Sequence, residues 1–203
     1  MPRKARIDFT GAFHHVMVRG IGDQRLFLDD ADRRVFLERL GRVLLETETP
    51  CYAWALMPNH VHLLTATGKI SISKVMQSLL TSYAQRFNRR HRRAGRLYQN
   101  RFKSVLCQKE SYLQELVRYI HLNPLRGNCV KSLKELEGYP WCGHAVLMGR
   151  AAVEWQQTRE VLEVWSDNVS RARAAYRGFL EAGVKLGKRE DLTGGGLVRS
   201  LGG

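Results

Sequence analysis

Met57-Pro58-Asn59-His60-Val61-His62-Leu63-Leu64 is the stretch from which the fold is read. Two histidines, one apolar residue apart, follow a Pro-Asn turn signal. Side chains on a strand alternate faces, so His60 and His62 share one face, roughly 6–7 Å apart along it. Val61 and Leu63 point the other way, into a core. Cys51 to Leu56 is a second apolar run on the far side of Pro58-Asn59, and the two runs form a hairpin. Two imidazoles on one strand face suit a single metal ion. Taken alone they suit ordinary packing better, and the rest of the chain has to decide.

Upstream, Phe13-His14-His15-Val16-Met17-Val18-Arg19 is a β-prone run closed by Gly20 and Gly22. Asp29-Asp30 then cap a helix whose apolar residues Phe36, Leu37, Leu40, Val43 and Leu44 recur at helical spacing, and Pro50 ends it. Downstream, Ile72 to about Arg90 is a long helix with Val75, Leu79, Tyr83 and Phe87 at four-residue steps. Leu97 to Cys107 reads as a strand. Ser111 to Leu122 reads as a helix stopped by Asn123-Pro124. This order predicts an α+β fold: a ferredoxin-like β-α-β-β-α-β antiparallel sheet with helices on one face and the other face open to a ligand. Short helices are predicted over 131–137, 144–149, 155–165 and 168–182. The tail from Leu192 is glycine-rich and reads as a linker cut short.

The chain has 203 residues, 44% of them hydrophobic, enough for one domain with an extension. Its four cysteines, Cys51, Cys107, Cys129 and Cys142, show no C-x-x-C spacing, which points away from a structural zinc site and towards a reducing, cytoplasmic setting. The N-terminus lacks the apolar core of a secretory signal, and no run approaches the roughly 20 apolar residues of a membrane span.

The formal net charge is +14. Between Glu48 and Glu110 there is no acidic residue, yet eleven lysines and arginines occur there. A one-sign block of this length implies a polyanionic partner, most simply a phosphate backbone. Arg86, Arg89, Arg90, Arg92, Arg93 and Arg96 run off the long helix into a loop, and Arg101 and Lys103 continue onto the next strand. Such cations position phosphates without reading bases. Tyr98 suits stacking on an unpaired base, whereas Tyr83 and Phe87 fit the helix core stripe better.

In the helix that begins at Ser111, Leu113, Leu116, Val117 and Ile120 form an apolar stripe, and Tyr119 and Asn123 lie side by side one turn apart. Two imidazoles and the Asn123 amide oxygen would hold a metal ion with positions left open. The ion could polarise a phosphodiester for attack by Tyr119 and favour the ionised phenol, whose pKa is otherwise about 10. The product would be a covalent phosphotyrosine. This donor set, poor in oxygen, would hold Mg²⁺ loosely and Mn²⁺ better.

Taken together, Arg19-Gly20, the His60/His62 stretch, Tyr98-Gln99-Asn100-Arg101-Phe102 and Arg118-Tyr119-Ile120-His121-Leu122-Asn123-Pro124-Leu125-Arg126 resemble the REP-associated tyrosine transposases, members of the HUH single-tyrosine group. The likeness covers roughly residues 8–148 and includes Tyr139-Pro140-Trp141. It implies a catalytic domain over 1–148 followed by a helical extension over 149–203. By this resemblance His60 and His62 are the metal ligands, Asn123 occupies the position of a third, Tyr119 is the nucleophile, and Arg19 joins the DNA-binding residues. It implies cleavage and rejoining of single-stranded DNA at palindromic hairpins with Mg²⁺ or Mn²⁺, through a 5′-phosphotyrosine. Gly-Ile-Gly-Asp follows Arg19 where many relatives have Gly-Asn. Monomeric action is favoured over a homodimer with shared sites, without the choice being closed. The competing reading is a non-catalytic nucleic-acid binding protein of the same fold, although the paired aromatics of RNA-recognition modules are missing. A hydrolase of small phosphoesters would have no use for so long a cationic track.

Overall fold

The computed structural model describes residues 9–107 and 109–186. Four strands, β1 (Phe13–Arg19), β2 (Cys51–Leu56), β3 (His60–Ala66) and β4 (Lys103–Cys107), form one sheet in the order β2-β3-β1-β4. Every neighbouring pair is antiparallel. Helices α1 (Asp30–Glu46) and α2 (Ile72–Arg90) complete the β-α-β-β-α-β core, and α3 (Lys109–Arg126) follows β4. The predicted α+β, ferredoxin-like class is the fold observed.

Period-two alternation sorts the strands onto two faces. Val16, Val18, Val61, Leu63 and Trp54 pack against Phe36, Leu40, Leu79, Tyr83 and Phe87 of α1 and α2. Tyr83 and Phe87 are core residues, and the Tyr83 hydroxyl donates to the Leu26 carbonyl at 2.6 Å. The Asp29 carboxylate caps α1 by accepting from the Asp32 amide at 2.9 Å. Arg90, at the end of α2, reaches back to Asp29 at 2.6 Å and also to Asp32, tying the end of one helix to the start of the other.

The opposite face, which the sequence reading expected to be open, is covered. Leu113, Leu116, Val117 and Ile120 of α3 lie across Phe13, Ala53, Ala55, Leu64 and Val105. The stripe on α3 is too apolar to leave in water: each such side chain gains about 1.5–3 kcal/mol on burial. Helices α4 (Leu133–Glu137), α5 (Gly143–Leu147), α6 (Thr158–Glu163) and α7 (Val169–Val184) follow, close to the predicted short helices. Val161, Leu162, Ala172, Tyr176 and Leu180 join the same cluster. The free edge of β2 is occupied by bridges from Cys142 to Ala55 and from Gln156 to Cys51. The glycine-rich tail lies outside the described residues.

Two boundaries differ from expectation. The strand predicted from Leu97 begins only at Lys103. Leu97–Phe102 instead form a loop that returns along Arg19–Ile21, with Ile21 N–H donating to Leu97 O at 3.1 Å and Gln99 N–H to Arg19 O at 3.0 Å. Helix α3 also runs through Pro124 to Arg126. Proline has no N–H for the Ile120 carbonyl. The Asn123 side chain fills that place, its Nδ2 donating to Tyr119 O at 2.9 Å and Ile120 O at 3.4 Å. One amide therefore repairs the helix and holds its side chain beside Tyr119.

A buried polar knot ties α3 to the C-terminal helices. The Tyr176 hydroxyl lies 2.8 Å from His121 Nδ1 and 2.9 Å from His144 Nδ1. A Cβ at Gly143 would stand 2.8 Å from Gln156 Oε1, 2.9 Å from Trp54 Nε1 and 3.0 Å from His121 Nε2, so only glycine fits there. Tyr176→Phe leaves two enclosed ring nitrogens unpartnered and is expected to cost about 1–3 kcal/mol. The urea midpoint measures this, and an unchanged midpoint would mean the hydroxyl does not help to hold α3. Acid should loosen the same knot. Burial depresses His144 from 6.5 to about 4 and holds His121 well below its usual range. Neutral rings are favoured in the fold, so their contribution is complete above 6.5 and falls as pH drops from there towards about 4. Each histidine removes about 1.4 kcal/mol per pH unit within that window. A urea midpoint that stays level between about pH 7.5 and about pH 5 would contradict this.

Candidate active site

The register of β1 on β3 places Arg19 opposite His60 and Met17 opposite His62. Both histidines face α3, as period-two alternation requires. Their rings meet edge to face with centroids 5.0 Å apart. Tyr119, projecting from α3 towards β3, brings its ring to 5.8 Å from that of His62. Asn123, one turn further on, lies beside it, its Nδ2 donating to the Tyr119 backbone carbonyl at 2.9 Å. These four residues line one cleft of about 660 Å³, together with Arg19, Gln99, Asn100, Arg101 and Lys103.

Each histidine has a partner on its far nitrogen. His60 Nδ1 is 2.7 Å from Asn59 Oδ1, and His62 Nδ1 is 2.9 Å from His15 Nε2. The Nε2 atoms are the ones left for the cleft. Burial, with help from the nearby Arg19, lowers His60 to about 4, and burial holds His62 well below 6.5. Both rings are thus neutral near pH 7, the form that ligates metals. Among the described residues no group of three or more His, Cys, Asp or Glu side chains is disposed to hold an ion. The donor set here is two imidazoles and one amide oxygen, which fits a divalent ion that keeps positions open for phosphate oxygens.

Burial raises the Tyr119 phenol above 10, and the nearby Arg126 guanidinium and Asn123 amide pull it back. The Arg126 guanidinium carbon lies 5.7 Å from the Tyr119 ring centroid. The sequence reading missed Arg126, because it stopped the helix at Leu122. Seven residues is nearly two turns, so a helix continued through Pro124 puts Arg126 on the Tyr119 side. His15 was missed as well. The His14-His15 pair was visible, but only the register shows which of the two shares a face with His62.

The predicted cationic residues separate into groups. Arg19, Arg101 and Lys103 are exposed and line the cleft. Arg19 also meets Asp23 at 2.6 Å. Arg96, Tyr98 and Arg101 line a second cleft of about 680 Å³, which shares Gln99, Asn100 and Arg101 with the first. The Tyr98 hydroxyl donates to the Leu80 carbonyl at 3.2 Å. Arg86, Arg89 and Arg92 are exposed and line neither cleft. Arg90 is engaged by Asp29 and Asp32, and Arg93 donates to Gln24 Oε1 at 2.9 Å.

The sequence profile described as "Transposase IS200 like" matches residues 10–123, a span that holds His60, His62, Tyr119 and Asn123. The chain belongs to the IS200-like transposase family. No curated protein matched it. Among solved structures, this transposase is similar to a REP-associated tyrosine transposase bound to a REP hairpin, with a TM-score of 0.61 and 14% identity over 77% of this chain and 98% of that one. A Deinococcus radiodurans R1 protein, provisionally described as a transposase, gives a TM-score of 0.40 and 17% identity over 56% of this chain and 92% of that one. The resemblance drawn from the motifs therefore holds at the level of family and fold. No described helix is long and apolar enough to cross a membrane.

Proposed function

We propose that this IS200-like transposase cuts and rejoins single-stranded DNA at palindromic hairpins through a covalent 5′-phosphotyrosine on Tyr119. The observation that carries the reading is the meeting of one phenol, two neutral imidazoles and one carboxamide in a single cation-lined cleft. Mg²⁺ or Mn²⁺ held by His60, His62 and the Asn123 amide oxygen would, when bound, polarise the phosphodiester and draw the phenol towards its ionised form.

The remaining work falls to the chain's own groups. Arg19, Arg101 and Lys103 hold the DNA backbone across the cleft. Asn123 is held beside Tyr119 by its bond to the Tyr119 carbonyl, and Arg126 lowers the cost of the phenol's negative charge. The Tyr119 Oη–P bond forms as the P–O3′ bond breaks. The phenol's proton passes to solvent, and the departing 3′ oxygen takes one up. Rejoining reverses this, with a free 3′-hydroxyl attacking phosphorus and the phenol leaving. On this reading residues 1–148 carry the chemistry, the later helices brace α3, and the protein acts in the cytoplasm, as a monomer in preference to a homodimer.

Incubating a labelled single-stranded hairpin with Mn²⁺ separates this from a non-catalytic DNA-binding role. Cleaved strand and protein-linked DNA support the proposal, and binding without either supports the alternative. Backbone contact also predicts steep salt dependence, because each neutralised phosphate adds about 0.7 to the log–log slope on single strands. Arg101→Ala is expected to lower that slope by about one contact and to weaken all sequences alike. An unchanged slope would remove Arg101 from the DNA track.

A further inference from the structure

His15 stands behind the cleft and has no part in the reaction as proposed. It lies on β1, diagonal to His62 across the β1–β3 ladder, and is fully enclosed. The two rings are stacked with centroids 5.2 Å apart, and His15 Nε2 is 2.9 Å from His62 Nδ1. Such an approach of two ring nitrogens requires a proton between them, and a neutral imidazole has one N–H and one bare nitrogen. Which ring donates therefore decides what His62 can do. If His15 donates, His62 carries its own proton on Nε2 and presents an N–H to the cleft. If His15 accepts, His62 keeps its proton on Nδ1 and presents a lone pair.

His60 shows the same arrangement with no ambiguity. Its Nδ1 faces Asn59 Oδ1, and an amide oxygen only accepts, so the His60 lone pair is committed to Nε2. We propose that His15 is the positioning residue for His62: it accepts the Nδ1–H, fixes the ring and aims the Nε2 lone pair into the cleft. Metal-bound histidines generally give their other N–H to an acceptor of this kind, most often a carboxylate or a carbonyl. Here the acceptor is a third imidazole, which brings no net charge into an enclosed position where an unpaired carboxylate would be costly.

The inference rests on the metal-dependent reading of the site, and its test can fail separately. His15→Leu removes the acceptor while keeping an apolar side chain in the core. His15→Gln can return an oxygen near the place of Nε2. Mn²⁺ affinity, read by calorimetry, is expected to fall about 10–100-fold in His15→Leu and to stay within about threefold in His15→Gln. Equal affinity in His15→Leu, or an equal loss in both variants, would overturn the assignment. Nitrogen-15 NMR of the metal-free protein provides the second readout, one that folding defects in the variants cannot obscure. The wild type is expected to show His62 protonated on Nδ1, and a proton on Nε2 would count against His15 as acceptor. Failure of Mn²⁺ to bind the wild type would instead sink the metal-dependent reading, and the NMR result would still judge His15.

Discussion

Tyr119→Phe is expected to abolish the covalent protein–DNA adduct while hairpin affinity stays within about threefold of wild type. Phenylalanine keeps the ring that faces His15 and His62 at 5.8 Å each and deletes only the oxygen. Arg19, Arg101 and Lys103 are untouched, so backbone contacts survive. A denaturing gel after incubation with labelled hairpin and Mn²⁺ reads the adduct directly. Undiminished adduct in this variant would remove Tyr119 as nucleophile, and Tyr112, two turns earlier on α3, would be the next tyrosine to test.

His60→Ala should lower cleavage by about 10²-fold or more at limiting Mn²⁺, with partial recovery as Mn²⁺ is raised and little change in hairpin affinity. A bound ion contributes several kcal/mol to a charged transition state, and about 2.7 kcal/mol corresponds to a factor of 10². His60 is the cleaner probe of the pair. It is only partly buried, and its far nitrogen meets Asn59 at the turn. Removing the buried His62 would also break its hydrogen bond with His15 and leave a cavity between β3 and α3. Rates across a Mn²⁺ titration decide the matter, and full activity of His60→Ala at low Mn²⁺ would exclude the ligand role.

Much of this molecule was legible before any coordinates. The β1, α1, hairpin and α2 boundaries followed from alternation, caps and turn residues, because those signals are local. The long helix was expected to bury Tyr83 and Phe87, and it does. The strand predicted from Leu97 was too long, because a polar, aromatic-dotted segment reads equally well as an edge strand or as a loop. The early stop at Asn123-Pro124 followed a sound rule about proline. That rule gave way because the Asn123 side chain gives the Ile120 carbonyl the donor that the proline cannot.

By itself the sequence determined the order of elements, the shared face of His60 and His62, the adjacency of Tyr119 and Asn123 and the long stretch without acids. All of these depend on residue order or on spacing along one strand or one helix. Only the tertiary structure decided that α3 crosses the sheet face thought to be open, that His15 rather than His14 backs His62, that Arg126 reaches Tyr119, and that Arg90 is taken up by Asp29 and Asp32. Those facts depend on strand register, on which stripe finds the larger apolar surface and on ion pairs between residues some sixty positions apart, none of which leaves a local mark in the chain.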